Sequence, residues 1–257
     1  MERKTHEALV DDQFGSRAAA YLASAVHAQG ADLDALAARV RGRAEARVLD
    51  LGCGGGHVGF AVAPHVREIV AYDLSREMLD VVAREAAKRG FANLVTQQGV
   101  VERLPFADAT FDYVFSRFSA HHWHDVDAAL REAARILKPG GTVVVVDTVA
   151  PAAPLLDTFL QAIELLRDPS HVRNYSRAEW AAIVGRAGLL PGAARQHRLR
   201  LDFASWVQRM RTPPVQVEAI RALQAAMADS VTRHFAVEAD GSFTIDILSL
   251  EAAKPAA

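Results

Sequence analysis

The chain has 257 residues, enough for one large α/β domain with additions, and its 51% apolar and 23% charged content excludes a disordered polypeptide. A net charge of −2 leaves no basic excess to meet phosphates, so nucleic acid is not expected as a partner; one cysteine, Cys53, excludes an internal disulfide and a cysteine-rich metal site. No stretch is long and uncharged enough to span a bilayer and the first residues hold no apolar leader core, so a cytoplasmic protein without a membrane partner is expected.

Residues 12 to 41 carry a helical period: Phe14, Ala18, Tyr21, Leu22 and Ala25 up to a break at Gly30, then Leu33, Leu36, Ala37 and Val40. Ala46 to Leu51 is a short apolar run closed by glycines, which predicts a buried strand. A helix is expected from Val58 to Val66, disturbed near its end by Pro64, then a second strand over Ile69 to Tyr72, closed by Asp73. Ser75 is the expected N-cap of a helix with the inner stripe Met78, Leu79, Val82, Ala83 and Ala86, ended by Gly90. Strands follow at Leu94 to Thr96, Phe111 to Ser116 and Thr142 to Val146. Between the last two, Asp125 caps a helix with the stripe Val126, Ala129, Leu130, Ala133, Ile136 and Leu137, broken by Lys138-Pro139-Gly140-Gly141. After Val149 the pattern turns helical over 155 to 167, again after a Ser176 cap up to Gly188, and from about Pro214 to Val231. Arg195 to Phe203 and Phe243 to Leu250 alternate by twos, so each is expected to be half-buried in an antiparallel pair at a sheet edge.

Strands alternating with amphipathic helices imply right-handed βαβ crossovers. The expected fold is α/β, a doubly wound, mostly parallel seven-stranded sheet in a single domain over 1–257. Residues 1–42 would form a helical lid, 43–150 the core, 151–235 a helical insertion completing the cover, and 236–257 the last strand and tail.

Val48-Leu49-Asp50-Leu51-Gly52-Cys53-Gly54-Gly55-Gly56 runs from strand into helix. Its glycines permit a sharp turn and close approach of a ligand, and the helix N-terminus that follows offers unpaired N–H groups. Asp73 closes the next strand, where a carboxylate meets a ribose diol in nucleoside-binding sheets. These features also fit a dinucleotide, but the glycine spacing differs from G-x-G-x-x-G, and Asp50 in the turn would repel a pyrophosphate while attracting an ammonium or sulfonium. No Gly-Lys-Ser/Thr follows, which excludes a nucleoside-triphosphate phosphate loop.

The stretch from Val48 to Gly56 resembles motif I of class I S-adenosylmethionine (SAM)-dependent methyltransferases. Ala71-Tyr72-Asp73-Leu74-Ser75 resembles their acidic second motif, and Leu104-Pro105-Phe106 with Phe111-Asp112-Tyr113-Val114 the approach to strand four. Leu137-Lys138-Pro139-Gly140-Gly141 resembles the turn before strand five. Together they resemble the ubiquinone/menaquinone-biosynthesis type. Gln13-Phe14-Gly15, Ser119 to Asp125, His171 to Tyr175 and Arg209 to Pro213 resemble its YafE branch.

The resemblance implies a Rossmann-like methyltransferase fold and SAM as cofactor, with S-adenosylhomocysteine (SAH) as product. Asp50 and the backbone of Gly52 and Cys53 would serve the methionine end, with Gly54 and Gly56 letting the ligand pass closely. Asp73 would take the ribose, and Leu74 and Met78 would flank the adenine. The family's adenine-binding aspartate is here Val100, so Val101 backbone or the Glu102 carboxylate would replace it. Ser116 and Arg117 end strand four and would face the reactive end, although Arg117 reads equally well as a surface charge.

The acceptor implied is a small planar aromatic or heteroaromatic metabolite, with a ring nitrogen, as in azapteridine-like heterocycles, slightly ahead of phenolic oxygen or quinol carbon. His121, His122 or His124 would be the base if the acceptor loses a proton, and Trp123 would stack on a flat ring. One histidine would otherwise cap the helix near Asp125. Phe14, Tyr21, Tyr175 and Arg209, with Arg117 and Trp123, would form the acceptor pocket. No metal is expected, since the histidines lack a zinc-binding pattern. A monomer or homodimer is expected. The alternatives are a degenerate SAM-binding regulator, suggested by Val100, and an NAD-dependent dehydrogenase.

Overall fold

In the computed structural model, residues 5–15 and 30–256 are described. In chain order these residues form α1 (His6–Gly15), α2 (Ala31–Val40), β1 (Arg47–Leu51), α3 (His57–Val62), β2 (Glu68–Asp73), α4 (Arg76–Arg89) and β3 (Leu94–Gln98). Then come β4 (Phe111–Arg117), α5 (Val126–Ile136), β5 (Leu137–Thr148), α6 (Pro154–Arg167), α7 (Arg177–Arg186) and β6 (Leu190–Leu201). The rest is α8 (Phe203–Met210), α9 (Pro214–Ala226), α10 (Asp229–His234) and β7 (Phe243–Ala253).

Seven strands form one sheet in the order β3-β2-β1-β4-β5-β7-β6. β3, β2, β1, β4 and β5 are mutually parallel, while β7 runs antiparallel to both β5 and β6. The expected doubly wound, mostly parallel seven-stranded sheet is therefore the observed one. The middles of the central strands are largely apolar because both faces are covered, and polar residues gather toward their ends. Val48, Ile69, Phe115, Val144 and Val146 pack toward α2, α3, α6 and α8, whereas Leu49, Val70, Val114, Val143 and Val145 pack toward α5 and α7.

Capping follows the sequence in most places. Asp125 accepts the Ala128 N–H at 2.9 Å, so the residue itself caps α5 and no histidine does. Ser176 and Glu179 form a reciprocal capping box at α7, and Gly90 closes α4 with φ 75°. Ser75 stands at the N-cap position of α4 but makes no capping bond; its hydroxyl donates to Glu77 Oε2 at 3.2 Å instead.

Four expectations shift. α1 begins at His6, earlier than residue 12, and Ala18, Tyr21, Leu22 and Ala25 lie outside the described residues. Lys138-Pro139-Gly140-Gly141 is not a break before β5 but its irregular first turn of extended chain, with Gly140 at φ 75° and a register shift opposite Phe111 and Tyr113. The helix expected over Pro214 to Val231 is split into α9 and α10. β6 is exposed on both faces except at Leu199 and Leu201, because it is an edge strand and helices leave most of its length uncovered.

Candidate active site

The strand order reverses between β1 and β4, and a cleft of about 1030 Å³, mouth included, opens at the C-terminal ends of the parallel strands. One wall is α1, through His6, Glu7, Val10 and Phe14. The floor is the turn after β1, and the sides carry Asp73, Leu74 and Met78, then Val100 to Glu102, then Arg117, Phe118 and Trp123.

The turn owes its shape to glycine at two places above all. Gly52 has φ 71°, and an added Cβ would come within 1.9 Å of Ser119 Oγ, the atom that accepts the Trp123 indole N–H at 3.0 Å. Gly54 has φ 48°, and an added Cβ would meet nothing within 4 Å, since the space before it is the cleft. Gly56 faces the other way: its missing side chain makes room for the Val82 methyls, and it does not line the cleft, because the turn has by then entered α3.

Two carboxylates meet this turn. Asp50 is 1% exposed, lines the cleft, and accepts the Gly59 N–H at 3.2 Å. Burial, assisted by the neighbouring Asp73, pushes it up to about 7 against the Gly59 hydrogen bond and Arg117. Asp73 accepts the Gly54 N–H at 2.8 Å and the Ser75 N–H at 2.9 Å, and burial raises it above its ordinary range despite those bonds. Cys53 also lines the cleft, and burial beside Asp73 and Asp50 pushes its thiol well above its ordinary value, so it is no nucleophile.

At the far end, Met78 is buried and Leu74 half-buried against the cleft. The Val100 carbonyl accepts the Tyr72 hydroxyl at 3.1 Å, which fixes the loop carrying Val101 and Glu102. The Glu102 carboxylate accepts the Asp125 N–H at 3.2 Å and still lines the cleft.

Arg117 reaches the cleft, but as a structural cation. Its side chain is 4% exposed and forms an ion pair with Asp32, itself 6% exposed, which ties the tip of β4 to α2. Its guanidinium lies 4.7 Å from the Phe118 ring centroid. Ser116 does not face the cleft: successive strand residues point to opposite sides, and its hydroxyl is buried with no hydrogen-bond partner among the described residues. Phe118, not singled out from the sequence, has φ 52°, a strained backbone for a bulky residue, held by its N–H to the Val146 carbonyl at 2.8 Å.

Behind the cleft lies an inner chamber that shares Phe14, Phe118 and His122 with it. Its polar lining is His121, Thr148, Glu164, Arg167, Asp168, Asn174 and Arg209; Leu199, Leu201, Trp206 and Ile245 are its apolar wall. The histidines separate here. His121 Nδ1 lies 2.6 Å from Asp147 Oδ1; burial opposes its protonation, but Asp147, with Glu164 and Asp168 beyond, wins and raises it above 6.5. His122 donates through Nδ1 to the Ser170 carbonyl at 3.1 Å, and burial beside His121 pushes it down to about 4. His124 lines the cleft rim, its ring 6.0 Å from that of His6. Asp147, Asp168 and Glu164 were not legible as site residues; the one sequence signal was a carboxylate closing the all-valine run of β5.

Two predicted acceptor residues lie elsewhere than the cleft. Tyr175 packs 5.5 Å from the Trp180 ring in a surface groove with Glu179 and Arg186, and Arg209 belongs to the inner chamber. Tyr21 lies outside the described residues. Among those residues, no cluster of three His, Cys, Asp or Glu side chains has metal-holding geometry, and no helix is long and apolar enough to cross a membrane.

The sequence profile of the methyltransferase domain matches residues 49–145. The chain is 51% identical over 201 residues to the uncharacterized protein YafE of Escherichia coli, covering 78% of this chain and 97% of that one. It is 40% identical over 200 residues to the uncharacterized methyltransferase YcgJ of Bacillus subtilis, 78% of this chain and 79% of that one. The YcgJ crystal structure matches with a TM-score of 0.83 at 35% identity, over 88% of this chain and 99% of that chain. At 32% identity over 164 residues, 60% of this chain and 64% of the other, it is similar to the ubiquinone/menaquinone biosynthesis C-methyltransferase UbiE of Rhizobium meliloti. The chain belongs to the class I SAM-dependent methyltransferase family.

SAM is accordingly the cofactor, and the cleft fits it: open space lies before Gly54, and the buried carboxylate of Asp50 and the half-buried one of Asp73 line a volume suited to a cationic nucleoside.

Proposed function

We propose that the protein methylates a small, planar aromatic or heteroaromatic metabolite, with a ring nitrogen ahead of a phenolic oxygen or quinol carbon. The observation that carries this reading is the inner chamber, which borders the cofactor cleft at Phe14, Phe118 and His122. Its paired carboxylates and guanidiniums suit a polar flat ring better than a prenylated quinol, whose long apolar tail would meet Glu164, Arg167 and Asp168.

SAM supplies an activated methyl group with its leaving group built in. The protein's task is then to hold donor and acceptor aligned. Asp50 with the Gly52 and Cys53 backbone takes the methionine ammonium, Asp73 the ribose hydroxyls, Leu74 and Met78 the adenine faces, and Val101 and Glu102 its edge. Phe14 and Trp123 stack against the acceptor, Arg209 meets its polar rim, and one of His121, His122 and His124 takes a proton from it. Arg117 acts on this site by holding the strand tip, and Tyr175 by packing behind the α7 wall. A dinucleotide is disfavoured, since its pyrophosphate would lie against Asp50. A purely regulatory role is disfavoured by the second chamber, with its polar lining, beside the cofactor cleft.

The test is incubation of the purified protein with methyl-labelled SAM and a metabolite extract. Label recovered in aromatic small molecules is expected; label carried into protein, nucleic acid or aliphatic amines would overturn the reading.

A further inference from the structure

His121 and His122 line the inner chamber, His171 packs 5.9 Å from the His121 ring, and one of the three is arranged differently from the others. His171 donates through Nε2 to Gln161 Oε1 at 2.9 Å, and burial beside His121 and His122 pushes it down to about 2. His122 is committed through Nδ1 to Ser170 and backed at 3.9 Å by Asp168. His121 alone of the three has a carboxylate at hydrogen-bond distance: Asp147 Oδ1 lies 2.6 Å from its Nδ1, and Oδ2 accepts the His121 backbone N–H at 3.3 Å. Asp147 is itself 2% exposed and is fixed by the Thr148 N–H at 2.8 Å.

This places the Nδ1 proton between ring and carboxylate, and so leaves the lone pair on Nε2. His121 Nε2 makes no hydrogen bond to any described residue, and the ring is 17% exposed on a residue that lines the chamber. A carboxylate behind a buried imidazole fixes its tautomer and stabilises the imidazolium formed when it takes a proton.

We propose that His121, oriented by Asp147, is the general base of the methyl transfer, and that the acceptor is restricted to molecules whose reacting atom carries an acidic O–H or N–H presented in the inner chamber. The inference rests on the planar-acceptor reading above and narrows it. The acceptor proton passes to His121 Nε2, the oxygen or nitrogen pair takes the methyl carbon, and the broken carbon–sulfur bond leaves its pair on sulfur as neutral SAH. His121 then returns the proton to solvent. His121 is a catalytic residue in this scheme and Asp147 a positioning residue. An acceptor with no proton to lose, such as a tertiary amine, has no use for this pair.

The groups facing His121 come from three directions: Asp147 of β5, Glu164 and Arg167 of α6, and Asp168 and His171 of the following loop, with His122 beside it in its own turn. The carboxylates outweigh burial, so the acid limb of kcat/KM should lie above pH 6.5, rise with pH, and level off once His121 is neutral.

The experiment has two arms. In the first, the His121 imidazole is followed by heteronuclear NMR in the wild-type SAH complex, alone and with catechol, 1,4-naphthohydroquinone and lumazine. The Nδ1–H tautomer and a shift of the His121 signals by at least one probe are expected; the Nε2–H tautomer, or no shift with any probe, overturns the proposal. In the second, turnover of the shifting probe with labelled SAM is compared in wild type, His121→Gln and Asp147→Asn, with SAH affinity measured for each. His121→Gln should lose about 100-fold or more in kcat and the acid limb with it, at unchanged SAH affinity. Asp147→Asn should move the limb to lower pH. Activity of His121→Gln within threefold of wild type, with the limb in place, overturns the proposal while leaving the planar-acceptor reading intact. Label accepted only by an aliphatic amine removes that reading itself.

Discussion

Asp73 at the tip of β2 accepts the backbone N–H of Gly54 at 2.8 Å, so a single carboxylate both lines the cleft and fixes the glycine turn after β1. Replacing Asp73 by Ala removes two charge-assisted bonds, to Gly54 and Ser75, each worth about 1.5–3 kcal/mol. SAH affinity should fall by about 100-fold, and the melting temperature should fall as well. Isothermal calorimetry and thermal unfolding report the two effects separately; an unchanged SAH affinity would refute the ribose assignment.

Gly52 and Gly54 share a left-handed backbone but should respond differently to the same methyl group. At Gly52 the new Cβ collides with Ser119 and disturbs the Trp123 hydrogen bond, so Gly52→Ala should destabilise the fold by about 2–3 kcal/mol. At Gly54 it enters open space, so Gly54→Ala should cost about 1–2 kcal/mol of backbone strain while blocking the cleft. Urea unfolding and SAH titration together should show the first variant unstable and the second folded but poor at binding.

Asp50, pushed up to about 7, gives cofactor binding a pH dependence. Its anion attracts the ammonium of SAH and its neutral acid does not, so affinity should fall as pH drops through 7, by up to about tenfold per unit. Asp50→Asn should bind more weakly at pH 8 and lose that slope. Calorimetry in buffers from pH 6 to 8 checks both; a wild-type affinity independent of pH contradicts the contact.

The Arg117–Asp32 ion pair is almost wholly out of water. Asp32→Ala removes the buried carboxylate that pairs with Arg117 and should lower stability by about 1.5–3 kcal/mol. Asp32→Ala with Arg117→Met should recover part of that loss, because both members of the buried pair are then replaced by uncharged groups. Chemical denaturation of the two variants measures the difference.

Local rules made the sheet legible. Val143 to Val146 is β-branched and apolar at every position, so it can only be a strand covered on both sides, and Asp125, Ser176 and Gly90 mark helix ends by their own chemistry. The turn at Gly52 and its companion Asp73 were legible for the same reason. Less visible were pairings between distant segments. His121 and Asp147 are 26 residues apart, and Ser170 meets His122 from 48 residues away, so the separate states of neighbouring histidines had no local sign. Ser116 stands at the end of β4 like Arg117, but two-residue alternation puts it on the opposite side of the sheet, away from the cleft. At Ser75 a nearby Glu77 offered the hydroxyl a competing partner.

The bare border strand β6 has a further bearing on how this molecule behaves in a crowded solution. A ribbon uncovered above and below, with one side unpaired, is a template on which other chains can grow. Here it carries Arg195, Arg198 and Arg200, of which Arg198 and Arg200 keep acidic neighbours in Asp246 and Glu238. Two such ribbons brought alongside would set guanidinium against guanidinium, so self-recruitment into fibrous stacks is opposed by charge along its exposed length.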